Sequence, residues 1–229
     1  PRIARIVRQI EADAWVVLGG AREVLEWFSN QPAPVFALFG RRETLDIAAA
    51  GPDKPPAFTN ATRHLIELGH QRVSMVVRGV RRLPQPGPCE QAYLDELKAH
   101  GIETGPFNLP DWDETPKGFH QLMGRLFQVT PPTALVVDEA PLFIAAQQFL
   151  AALGRRVPED VSLICTDPSP VFDWCTPTVA HVRWAAKPVV TRILRWVANV
   201  ARGRVDVSQT FVPAEYVAGG TVGPAPTRA

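Results

Sequence analysis

The sequence predicts an α/β fold in which parallel strands are covered by helices on both faces. Two observations carry this. Short runs rich in Val, Leu and Ile alternate along the chain with segments of helical period, and these runs are apolar at successive positions, as strands buried on both faces must be. Glycines then follow the helical segments at Gly69, Gly101, Gly154 and Gly203, where a left-handed cap ends a helix.

The elements follow in order. Ile3, Ile6, Val7 and Ile10 have helical spacing, and Ala14-Trp-Val-Val-Leu18 reads as a short buried strand. Glu23 to Asn30 places Val24, Leu25 and Phe28 on one helix face, and Pro34-Val-Phe-Ala-Leu-Phe39 is the next strand. Helix Thr59–Leu68 leads to strand Arg72–Val77, and Glu90–His100 is the following helix. Phe119–Phe127, Ala134–Val137, Pro141–Leu153 and Val161–Cys165 repeat the alternation of helix and strand. Lys187–Ala201 is a last long helix, and extended segments at Gln209–Val212 and Glu215–Val217 close the chain.

With 229 residues, 46% of them hydrophobic, the chain has material for one large domain or two intertwined smaller ones. Lysine plus arginine number 24 against 23 acidic residues, a formal net charge of +1 with no basic block, so these residues are not expected to grip DNA themselves. The 3 cysteines (Cys89, Cys165, Cys175) fit a reducing cytoplasm and have no zinc-ligand spacing. No apolar run approaches the roughly 20 residues of a membrane span, and Pro1 to Ile10 is Arg-rich and amphipathic rather than a signal peptide. A cytoplasmic protein without cofactor, metal or membrane partner is expected.

The stretch His64-Leu-Ile-Glu-Leu-Gly-His-Gln-Arg-Val-Ser-Met-Val-Val77 closely resembles the helix-Gly-His-strand junction of effector domains in the LacI/GalR family of transcription regulators. Four more segments keep that family's order: Ala92-Tyr93 through Ala99-His-Gly-Ile102, Pro132 to Val137, Gly154-Arg-Arg-Val-Pro-Glu-Asp-Val-Ser-Leu-Ile164 followed by Asp167, and Val212 to Thr221. The resemblance spans nearly the whole chain. It implies a type I periplasmic-binding-protein-like fold, with two doubly wound lobes, three crossovers and a small-molecule cleft between the lobes. By similarity, residues 1–69 and 183–206 form the first lobe, and residues 70–182 and 207–229 the second. It also implies that a DNA-binding domain and a first βα unit of the family pattern are absent from this sequence.

In open parallel sheets ligands bind beyond the carboxyl ends of the strands, so candidate residues are sought there. Asp167 matches a family aspartate that accepts hydrogen bonds from ligand hydroxyls or amines; an Asp-Pro turn is its alternative role. Trp112 stands where the family often stacks an aromatic on a ligand ring, with packing as the alternative. Asp138 and Glu139 follow a strand, and Glu139 replaces a family amide, which removes donors and suits a ligand bearing hydroxyls or amines. The family's ligand-reading arginine maps onto Cys89; Arg78, Arg81 and Arg82 are the nearby substitutes, each with a solvated-loop alternative. Arg22, Arg41 and Asp53 are first-lobe candidates against a surface-charge role, and Trp184 against crossover packing. His70, beside Gly69, is expected to be structural.

No nucleophile elbow, phosphate-cradling glycine loop or histidine cluster is present, so an enzyme is not expected. The resemblance implies a sensor that binds a small molecule, a sugar or sugar derivative, and controls operator DNA as a homodimer through ligand-linked lobe closure. A periplasmic sugar receptor of an importer is the alternative with the same fold.

Overall fold

A computed structural model describes residues 2–7, 9–42 and 44–227. The helix read at Ile3–Ile10 is seen as α1 (Arg2–Val7); Arg8 and the Ile6 side chain lie outside the described residues. There follow β1 (Trp15–Leu18), α2 (Arg22–Ser29), β2 (Val35–Leu38), β3 (Ala48–Asp53), α3 (Pro55–Glu67), β4 (Val73–Val76), α4 (Gly79–Arg82) and α5 (Pro88–Ala99). Then come α6 (Pro116–Val129), β5 (Ala134–Val137), α7 (Ala140–Ala152), β6 (Ser162–Cys165), β7 (Ala180–Trp184), α8 (Ala186–Val200) and β8 (Gln209–Val217).

The chain forms two units, Pro1–Asp53 with Trp184–Pro213, and Lys54–Arg183 with Ala214–Ala229, so it crosses between them three times. In the first unit the strand order is β1-β2-β3-β8, all parallel. Alternation across the pleat decides its two cores. Trp15, Val17, Val35, Ala37 and Ala49 pack against Leu25 and Phe28 of α2, with Ile3 and Val7 of α1. The intervening Phe36, Leu38, Ala48 and Ala50 pack against Val189, Ile193 and Trp196 of α8.

The second unit repeats the scheme with β4, β5, β6 and β7 in parallel pairing. Val73, Met75, Ala134, Val136 and Ile164 face Phe58 and Leu65 of α3 and Tyr93 and Leu97 of α5. Val76, Leu135, Val137, Leu163 and Cys165 face Phe119 and Met123 of α6 and Phe143 and Leu150 of α7. Helix α3 thus belongs to the second unit, whereas the family pattern assigned residues through 69 to the first lobe; its pairing with α5 over one sheet face is the physical reason.

Strands β3 and β7 are present in addition to those the sequence pattern predicts. Ala48-Ala49-Ala50-Gly51-Pro52 has poor intrinsic strand preference, yet the three alanines are fully buried between β2 and β8, where small side chains let α2 and α8 approach. Helix α3 opens earlier than expected because Pro55 and Pro56 fit its first turn, where no amide partner is needed.

At the amino ends of the second unit's strands, His70 is fully buried. Its Nδ1 lies 3.0 Å from Thr133 Oγ1, and its Nε2 lies 2.9 Å from the Gly223 carbonyl and 3.1 Å from Ser162 Oγ. The ring ties the chain's tail to β6, the structural role expected of it. Burial lowers the His70 pKa, against the opposing pull of the Gly223 carbonyl, so the folded state favours the neutral ring. The unfolded chain therefore takes up this proton first as pH falls. Stability carried by His70 should be complete above its ordinary pKa and decline as pH drops below it, with a limiting slope of about 1.4 kcal/mol per pH unit. Urea unfolding between pH 8 and 5 checks this; a slope identical in His70→Asn would remove it.

Candidate functional site

Register brings three loops together at the carboxyl edge of the second unit. Val76 is level with Val137, and Val137 with Cys165, so the residues that follow each strand emerge side by side. The Asp138 amide donates to the Val76 carbonyl at 2.9 Å, and the Thr166 amide to the Val137 carbonyl at 3.0 Å, carrying the ladder one step past the strands.

Asp138 is buried, and its carboxylate is fully engaged. Oδ1 accepts from Thr166 Oγ1 at 2.8 Å and from the Arg81 guanidinium, while Oδ2 accepts the Arg78 amide at 3.3 Å. Arg81, from α4, also places Nε 2.7 Å from Oε1 of Glu90, a buried residue in the first turn of α5, and lies over the Phe58 ring at 5.4 Å. Burial pulls the Arg81 pKa down, but Glu90 and Asp138 outweigh it and hold the pKa above the ordinary guanidinium value. An arginine thus reaches these strand ends from α4, although Cys89 occupies the family's arginine position. Burial pushes the Cys89 thiol up to about 12, which makes it a poor nucleophile.

Asp138 and Glu139, adjacent in sequence, do different work. Glu139 has φ 56° and ψ 150° at the start of α7, a region that is nearly glycine-only. That backbone turns its side chain outward, where both carboxylate oxygens meet Arg78 Nε and Nη2 at 3.4 Å. Glu114 also approaches Arg78, at 3.8 Å, and accepts the Gly79 amide. Asp167 pairs with Lys54 Nζ, which also donates to the Thr166 carbonyl at 3.3 Å. Of the expected residues, the structure therefore brings Arg78, Arg81, Asp138, Glu139 and Asp167 into one network.

Strain at Glu139 supports an expected result. Glu139→Gly should raise stability by about 1 kcal/mol, because relief of 1–3 kcal/mol of strain exceeds glycine's entropy cost and loss of a solvent-screened ion pair. A urea midpoint below that of the unmodified chain would show that the conformation carries no strain.

Trp112 is built into the core. It is 7% exposed, its Nε1 donates to the Val77 carbonyl at 2.9 Å, and its ring packs edge-on to Phe119. The packing alternative describes these contacts. In the first unit, Arg22 bonds Glu26 at 2.6 Å and Thr44 at 3.0 Å, Arg41 follows β2, Asp53 ends β3, and Trp184 meets Phe39 edge-on at 5.4 Å. Arg22 and Arg41 thus follow β1 and β2, and Asp53 and Trp184 end β3 and β7.

Sequence reasoning did not single out Lys54, Glu90, Glu114 or Thr166. Thr166 follows a strand directly and so carried a positional signal; the others reach the site only through tertiary packing. Among the described residues, no group of three or more His, Cys, Asp or Glu is arranged to hold a metal, and no helix is long and apolar enough to cross a membrane.

The pattern of the periplasmic binding protein-like domain family matches residues 62–222, more than half of the sequence. The chain belongs to this family. The HTH-type transcriptional regulator CelR of Thermobifida fusca is 33% identical over 129 residues, covering 53% of this chain and 36% of that protein. A solved CelR–cellobiose complex superimposes with a TM-score of 0.78 at 22% identity, over 96% of this chain and 69% of that one. A LacI family transcriptional regulator from Mycobacterium smegmatis gives a TM-score of 0.77 at 20% identity, over 99% and 84%. The matches span from 36% to 51% of the curated relatives' own lengths. This periplasmic binding protein-like chain thus shares its fold with LacI-family effector domains, as its Gly-His junction and Arg155–Ile164 segment imply.

Proposed function

We propose that this chain is the ligand-sensing part of a LacI-type transcription regulator, and that a sugar or sugar derivative binds at the strand ends of the second unit. The observation that carries the reading is the register that sets Arg78, Asp138–Glu139 and Thr166–Asp167 side by side, where open parallel sheets bind ligands. Cellobiose bound to a structural neighbour supports a sugar as effector. Asp167 and Glu139 accept from ligand hydroxyls, Arg78 donates, and Asp138 with Arg81 holds the loops in place. No catalytic role is assigned to them. Control of operator DNA is a coupling free energy between this site and an HTH-type module of the kind the relatives' names print. The protein acts in the cytoplasm as a homodimer in this reading. Those relatives favour it over an importer's receptor.

The test is a thermal-shift series on the chain with pentoses, hexoses, disaccharides including cellobiose, sugar acids and purines. A ligand bound only by the folded state raises the melting midpoint with concentration. A folded sample that none of these compounds stabilises would dismiss the sensor reading.

A further inference from the structure

We infer that the ligand is an uncharged, hydroxyl-rich molecule rather than a carboxylated or phosphorylated one. The inference rests on the sensor reading and deepens it.

Among the described residues, three cations join the network at the second unit's strand ends, and each already has protein carboxylates. Lys54 pairs with Asp167; Arg81 with Asp138 and, at 2.7 Å, with Glu90; Arg78 with Glu139 at 3.4 Å and with Glu114 at 3.8 Å. Five carboxylates thus face three cations. The accessible side chains lean the same way: Glu139 is 44% exposed, Glu114 37% and Asp167 30%, against 33% for Arg78, 19% for Arg81 and 15% for Lys54.

An anionic ligand would have to draw one cation away from a protein partner and leave that carboxylate partly desolvated and unpaired, or sit beside the carboxylates and be repelled. Hydroxyls meet neither obstacle. They donate to the outward oxygens of Glu139, Glu114 or Asp167 and accept from Arg78 while the ion pairs stay intact. The N-terminus of α7 pulls toward anions with roughly half a charge, but Pro141 in its first turn has no amide hydrogen to offer, and the carboxylate excess is larger. In the first unit, taken by itself, Arg22 likewise carries its own carboxylate, Glu26.

Matched pairs decide the matter by isothermal titration at fixed ionic strength: glucose with glucuronic acid, cellobiose with cellobionic acid, and ribose with ribose 5-phosphate. The neutral member of the binding pair should be at least tenfold tighter, about 1.4 kcal/mol, and Glu114→Gln with Glu139→Gln should narrow the gap. A charged member that binds as tightly or more tightly overturns the inference and leaves the sensor reading standing. No binding by either member of any pair, in a folded sample, overturns both.

Discussion

Arg81→Met should destabilise the second unit by about 3–5 kcal/mol, the cost of removing one partner from a buried ion network. The guanidinium is shared by Glu90 and Asp138, both 2% exposed, and reaches Thr166 Oγ1 at 3.1 Å. A methionine of similar length fills much of the volume over Phe58, so the loss comes mainly from two carboxylates left in an apolar setting without a cation. Because the chain has two units, a single unfolding midpoint is an unsafe measure. Hydrogen exchange of the β4, β5 and β6 amides reports the affected unit directly, and protection there should fall more than in β1–β3. Adding Glu90→Gln and Asp138→Asn should restore much of the loss, since the three changes act on one network and are not additive. Unchanged exchange in Arg81→Met alone would mean the network contributes nothing to folding.

The same network marks how far the sequence could be read. Strands β1, β2, β4, β5 and β6 were legible because burial on both faces makes successive residues apolar, as in Phe36 and Ala37 or Met75 and Val76, and the long helices because one buried face leaves a helical period. Strand β3 left no such trace: its alanines are selected by the closeness of helices above and below, which only the assembled sheet reveals. At the site, position after a strand singled out Asp138, Glu139 and Asp167, and the structure shows the first buried and the second outward. Position alone did not distinguish a bracing role from an outward one. That distinction depends on the pairing of Arg81 with Asp138 and on the backbone of Glu139, neither of which has a local sequence signature. Trp112 shows the opposite limit, since an indole at a loop-to-helix junction suits a ligand ring or a core equally until the Val77 carbonyl is seen to take its hydrogen.

Asp167→Ala should lower affinity for the stabilising sugar by about ten- to a hundredfold, because a hydrogen bond to a charged group contributes about 1.5–3 kcal/mol. The carboxylate belongs to the loop after β6, is 30% exposed and is oriented by Lys54, itself fixed by the Thr166 carbonyl at 3.3 Å. Folding should suffer less than affinity. Lys54 keeps the carbonyl as acceptor, and the pair's partial exposure softens the loss of its carboxylate. Lys54→Met separates positioning from contact: the carboxylate remains but is no longer held, so affinity should fall by about tenfold or less. Titration of both variants and the double variant gives a cycle in which Lys54→Met adds little once Asp167 is gone. If Asp167 served only as an Asp-Pro turn, melting would shift while affinity, measured well below the midpoint, stayed within twofold. That outcome would move ligand contact to Arg78 with Glu139 and Glu114, the accessible donor and acceptors beside it at this edge.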